Sequence, residues 1–139
     1  MVDFFVSIVY NVIKDVITMS IGHGAFCKKE SDSGELVTYA YSSYNWNDER
    51  YYNDERICDG KIIISKKAIS DILNAISDER LGTAFSELYN NGGIIIENCS
   101  NTWQKHIKGY DVMALHLCYK LLNQIQKEQG FPDECHYLV

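Results

Sequence analysis

The sequence predicts a single α+β domain, a mainly antiparallel sheet packed against a long C-terminal helix and shorter helices. Three features carry that expectation. Alternating side chains on either side of a polar turn near Gly34 mark a hairpin. An apolar stripe from Tyr110 to Gln129 marks a long amphipathic helix. A run of isoleucines at Ile94, Ile95 and Ile96 places a late strand among helices, which argues against a doubly wound parallel sheet. No linker divides the 139 residues, and a chain of this size buries roughly two-thirds of its unfolded surface without help from metal or disulfides.

The elements follow in order. Phe5, Val9, Val12, Ile13, Val16 and Ile17 recur at helical spacing, but so many β-branched residues suit a strand equally, and the segment is compatible with either. The wider stretch from Val2 to Ile21 reads as core and not as signal or anchor. Asp3, Asn11, Lys14 and Asp15 interrupt it and no basic region precedes it. Met19 to Lys28 and Glu35 to Tyr44 read as two strands joined by the turn Glu30-Ser31-Asp32-Ser33-Gly34, with Val37, Tyr39 and Tyr41 alternating against Thr38 and Ala40. Asn45 to Asp59 is a polar, aromatic loop in which Asn47-Asp48-Glu49-Arg50 recurs as Asn53-Asp54-Glu55-Arg56, too short a unit for a solenoid.

Lys61 to Ile64 reads as a short strand. Ser65 then offers an N-cap to a helix bearing Ala68, Ile69, Ile72, Leu73 and Ile76 on one face. A second short helix carries Leu81, Ala84, Phe85 and Leu88, and Asn90-Asn91-Gly92-Gly93 stops it. Ile94 to Ile96 is expected as a buried strand, and Asn98 to Gly109 as a loop tethered by Trp103. In the long helix Val112, Leu115, Cys118, Tyr119, Leu122 and Ile125 repeat at three- and four-residue intervals. Met113, Leu117 and Leu121 widen the stripe, so the helix should be covered on two sides. Gly130 and Pro132 end it, and Cys135 to Val139 is apolar enough to lie along a sheet edge.

Composition limits the partners. With 13 Lys and Arg against 19 Asp and Glu, a net charge of −6 and a pI near 5.1, the chain lacks the concentrated basic surface that nucleic acid requires. No direct nucleic-acid binding and no membrane insertion are expected. Five cysteines, Cys27, Cys58, Cys99, Cys118 and Cys135, form no C-x-x-C pair and cannot all be bridged, which fits a reducing cytoplasm.

The search for chemistry yields little. The sequence has no G-x-S-x-G, phosphate-loop or H-E-x-x-H motif and no deaminase pairing of His-x-Glu with Pro-Cys-x-x-Cys. His23, flanked by Gly22 and Gly24, could pair with Cys27 as imidazole and thiolate; the plainer reading is a strand end with its side chain in water. His116 and Cys118 point roughly 200° apart on a helix and Cys135 and His136 to opposite sides of a strand, so neither pair makes a metal site. Asp111 reads as a charge favouring the positive end of the long helix, not as a general base. No catalytic residue, metal or cofactor is therefore assigned.

The segment that stands apart is acidic and aromatic. Between Glu30 and Asp59 the eight carboxylates Glu30, Asp32, Glu35, Asp48, Glu49, Asp54, Glu55 and Asp59 face two cations, Arg50 and Arg56. This local excess equals the net charge of the whole chain, so the remainder is balanced. Tyr39, Tyr41, Tyr44, Trp46, Tyr51 and Tyr52 interleave with these acids. Rigid rings make interface hot spots and a carboxylate rim speeds capture of a cationic partner. The expected contact set is Tyr44, Trp46, Asp48, Glu49, Tyr51, Tyr52, Asp54, Glu55 and Asp59. Two alternatives are a solvated loop whose tyrosines pack on their own sheet, and a calcium loop, although EF-hand spacing is missing.

In size, acidity and the segment YSSYNWNDERYYNDERICDG, the chain resembles the small cytoplasmic immunity proteins of bacterial contact-dependent growth inhibition and related polymorphic toxin systems. Those proteins share no catalytic motif and have diverse folds, so the resemblance assigns no individual residue. It implies a cognate basic toxin domain as partner, often a nuclease, neutralised by occlusion. The runner-up is a small enzyme or ligand-binding domain using His23 and Cys27 or the loop from Cys99 to His106. A homo-oligomeric structural protein is a third reading.

Overall fold

The computed structural model describes residues 22–75 and 81–138. Five strands form one antiparallel sheet: β1 (His23–Asp32), β2 (Leu36–Asn45), β3 (Gly60–Ser65), β4 (Ile94–Glu97) and β5 (Glu134–Leu138), in the spatial order β4-β3-β2-β1-β5. Among the described residues three α-helices accompany it: α1 (Lys66–Ala75), α2 (Leu81–Asn90) and α3 (Val112–Glu128). The expected α+β class, the antiparallel sheet and the long helix are all present. The readings for Val2 to Ile21 and for Ile76 fall outside the described residues.

Register explains the layering. Cys27 pairs with Tyr41 and Cys135, Tyr39 with Ile62, and Ile62 with Ile96. Cross-strand partners project to the same side of a sheet, so these residues share one face. On that face lies α3, packed against β1, β2, β5 and α2. It buries Met113, Ala114, Leu117, Cys118, Leu121, Leu122 and Ile125. Its stripe is thus rotated from the expected one: Leu115 is half-buried and Tyr119 exposed. The core joins Tyr39, Tyr41, Ile62, Ile64 and Leu88 to these helix residues. The opposite face turns Lys28, Glu97 and Glu134 to solvent.

Local signals place the element ends. Ser65 Oγ accepts the Ala68 N–H at 3.3 Å, capping α1. Gly92 has φ +83° and the Gly93 N–H reaches back to Leu88 O at 2.8 Å, a Schellman closure of α2. Three expectations change in detail. The first strand runs on to Asp32, with a bulge between Lys29 and Ser31, so the turn is confined to Ser33–Glu35. Its expected start at Met19 lies outside the described residues. Ile94–Glu97 is an edge strand buried on one face only: Ile94 is in the core and Ile96 packs against it, whereas Ile95, paired with Ile63 on the face opposite the helices, is 46% exposed. Gln129, not Gly130, takes the left-handed conformation that ends α3, donating its N–H to Ile125 O. Trp103 packs on the core as the expected tether.

Candidate functional site

The acidic aromatic loop joins β2 to β3 and is held at several points. The Trp46 N–H donates to Gly22 O at 2.7 Å, and the Trp46 ring stacks on Tyr44 at 5.0 Å. Asp48 caps a short 3₁₀ turn at Glu49–Tyr51 and chelates Arg50 through Nε (3.0 Å) and Nη2 (2.7 Å). That pairing lowers the Asp48 pKa below the usual carboxylate range. Asn53, with φ +50°, suits the left-handed region. Its amide donates to Ser42 Oγ and Ile57 O while its oxygen accepts the Ile57 N–H. From the far loop, Asn101 Nδ2 donates to Tyr51 O and Ser43 O. Asp59 Oδ1 accepts the Ser100 N–H at 2.9 Å, and its pKa is lowered by Ser100.

The two copies of the Asn-Asp-Glu-Arg repeat do different work. In the first, acid and base neutralise one another. In the second, Asp54 and Glu55 stay free of ion pairs among the described residues, while Arg56 turns back over the sheet with its guanidinium 5.1 Å from the Phe26 ring centre.

The structure divides the expected contact set. Trp46 is 42% and Tyr52 39% exposed, Tyr51 is half-buried, and the carboxylates of Glu49, Asp54 and Glu55 are exposed and unpaired among the described residues. Tyr44 is corrected: at 1% exposed it is buried, on the sheet face opposite α3, and its hydroxyl bonds His136 Nε2 at 2.6 Å. Tyr39 and Tyr41 belong to the core itself. The Tyr39 hydroxyl donates to Pro132 O at 2.6 Å and the Tyr41 hydroxyl to Asp111 Oδ2 at 3.0 Å. Asp48 is committed to Arg50, and Asp59 is turned to the Ser100 backbone.

Asp111 was legible as a helix-end charge, but its wider role was not. The side chain is wholly buried. Oδ1 accepts the Met113 N–H at 3.0 Å, capping α3. Oδ2 takes the Tyr41 and Thr102 hydroxyls at 3.0 and 3.1 Å, with Cys99 Sγ at 3.6 Å. One carboxylate thus ties α3 to β2 and to the loop beneath the candidate site.

The residues of the catalytic alternative are placed differently. Cys27 is 1% exposed, and burial, reinforced by Cys135, pushes its thiol far above the usual range. A buried neutral thiol is a poor nucleophile. His23 does not face water freely. It is half-buried, edge-on to Trp103 at 5.3 Å, and burial lowers its pKa. In the other segment Cys99 is buried, whereas His106 stacks on Tyr110 at 4.5 Å and accepts the Lys108 N–H through Nδ1. Among the described residues no group of three or more His, Cys, Asp or Glu is arranged to hold a metal ion, and no helix is long and apolar enough to cross a membrane.

No family model, curated protein or solved structure matches the chain.

Proposed function

We propose that this protein is a binding protein of the immunity type, which neutralises a cationic protein partner by occluding it with the Trp46–Asp59 loop. One observation carries the reading: Trp46 and Tyr52 stand exposed on a hydrogen-bonded loop beside the free carboxylates of Glu49, Asp54 and Glu55. Exposed rings supply apolar contact area and the acids attract a positive surface, the combination that capture of a basic protein needs. The burial of Tyr44 narrows the contact set to Trp46, Glu49, Tyr51, Tyr52, Asp54 and Glu55. All five thiols are free, which fits a reducing cytoplasm.

The test uses the intact chain as bait in its source cell, with the captured protein identified by mass spectrometry and its association rate then measured against the purified chain. A basic partner is expected. The triple variant Glu49→Gln, Asp54→Asn, Glu55→Gln should associate about tenfold or more slowly at low salt, with a flatter salt dependence. An acidic partner, or a rate that the triple variant leaves unchanged, refutes the reading.

A further inference from the structure

Next to the acidic loop the charge reverses. A cleft of about 600 Å³ wraps the outer edge of β5 and gathers Lys28 from β1, Arg56 from the loop, Lys120 from α3 and His136 from β5, with Glu134 as the carboxylate in its lining. Three cations against one acid is a local inversion in a chain of net charge −6. Among the described residues no salt bridge engages Lys28, Arg56 or Lys120.

Two features hold this arrangement in place. Arg56 adopts φ +55°, a conformation that is uncommon for a residue with a side chain, and so lies over Phe26 at the cleft wall. Tyr44, itself almost fully buried, fixes the His136 ring through the 2.6 Å contact to Nε2. Burial raises the pKa of the Tyr44 hydroxyl and lowers that of His136. The direction of this hydrogen bond is set by the imidazole tautomer: with the hydroxyl as donor to Nε2, the ring proton sits on Nδ1 and serves as a second donor. Lys120 Nζ donates to His136 O, so its ammonium is anchored beside the same residue.

We propose that this cleft is a binding site for a small oxyanion, the phosphate or carboxylate group of a small molecule, neutralised by Arg56, Lys28 and Lys120 and hydrogen-bonded by His136. The volume lies within the range of small-ligand sites. A nucleic-acid backbone is disfavoured because three cations on an otherwise acidic chain offer no continuous basic track. The site goes beyond the docking loop and does not use its free carboxylates.

The test is a titration of the isotope-labelled full chain at physiological ionic strength, following the His136 ring signals by NMR. Inorganic phosphate forms one arm and acetate the other. Saturable, one-to-one shifts in either arm are expected, and the arm that binds tighter identifies the oxyanion class. Lys28→Gln with Lys120→Gln should weaken binding about tenfold or more, while the distant pair Lys105→Gln with Lys108→Gln should leave it unchanged. All four lysines are exposed, so the folded shift pattern should persist. Shifts that do not saturate in either arm, or equal weakening by both pairs, would overturn the proposal and mark an unspecific effect of charge.

Discussion

Replacing Asp111 tests the link between helix and sheet, and its cost can be worked from its contacts. Asp111→Ala removes two separable things. The first is the cap on the Met113 N–H, worth about 1 kcal/mol. The second is the acceptor for the buried Tyr41 and Thr102 hydroxyls. Thr102 keeps Cys99 O as an alternative acceptor at 2.8 Å. Tyr41 retains only the Cys99 N–H, for which its oxygen is the acceptor, so its own proton is stranded at a cost of about 1–3 kcal/mol. The expected loss is about 2–4 kcal/mol, a substantial share of a typical domain's ~5–15 kcal/mol. Asp111→Ser separates the two parts, since serine keeps the cap but cannot supply the second oxygen, and it should recover about 1 kcal/mol. The assay is urea unfolding with a double-mutant cycle: Tyr41→Phe should cost less in the Asp111→Ala background than alone. A loss below about 1 kcal/mol, or strict additivity with Tyr41→Phe, would refute a structural role for this carboxylate.

Two further outcomes follow from burial. His23, His116 and His136 all have pKa values lowered in the folded state, chiefly by desolvation, so the unfolded chain binds protons more readily. Stability should be level above about pH 7 and fall as pH drops through the unfolded histidine value of about 6.5; urea unfolding at two pH values on either side checks it, and a gain on acidification contradicts it. Among the thiols, Cys27, Cys99, Cys118 and Cys135 are buried and Cys58 alone is half-exposed. Brief alkylation of the folded protein should therefore give one adduct, on Cys58, by peptide mass mapping, and rapid labelling of a second cysteine would show that the core opens more readily than the packing implies.

Much of the fold was legible because its signals are local. Ser65 before an apolar repeat, glycines after Asn91 and the three- and four-residue spacing of α3 depend on nothing distant. The alternation of Val37, Tyr39 and Tyr41 also contained a warning. Residues sharing the parity of a buried valine face the core, so two of the tyrosines counted with the acidic segment belonged to the scaffold. Tyr44 breaks that parity and lies on the opposite face. Its burial comes from Trp46 stacking on it and from His136 at its hydroxyl, contacts that arise only once the loop and β5 are in place. The cationic cleft was hidden for the same reason: Lys28, Arg56, Lys120 and His136 are far apart in sequence and meet through the pairing of β1 with β5 and the left-handed turn at Arg56. Gln129 took the place expected of Gly130 because the left-handed position falls directly after the last helical residue, where an ordinary side chain is tolerated at a small cost.

Under the proposed function, the pins on the loop by Asn53 and Asn101 bear on how fast and how selectively it would dock. A segment already fastened to its sheet forfeits little disorder when it meets a partner, so less of the contact energy is consumed in organising it. Collision in the correct orientation, not folding upon contact, then governs complex formation. Such a surface accepts few shapes: its discrimination among related partners rests on matching a fixed relief, and a changed partner would have to be met by substitutions on the loop itself.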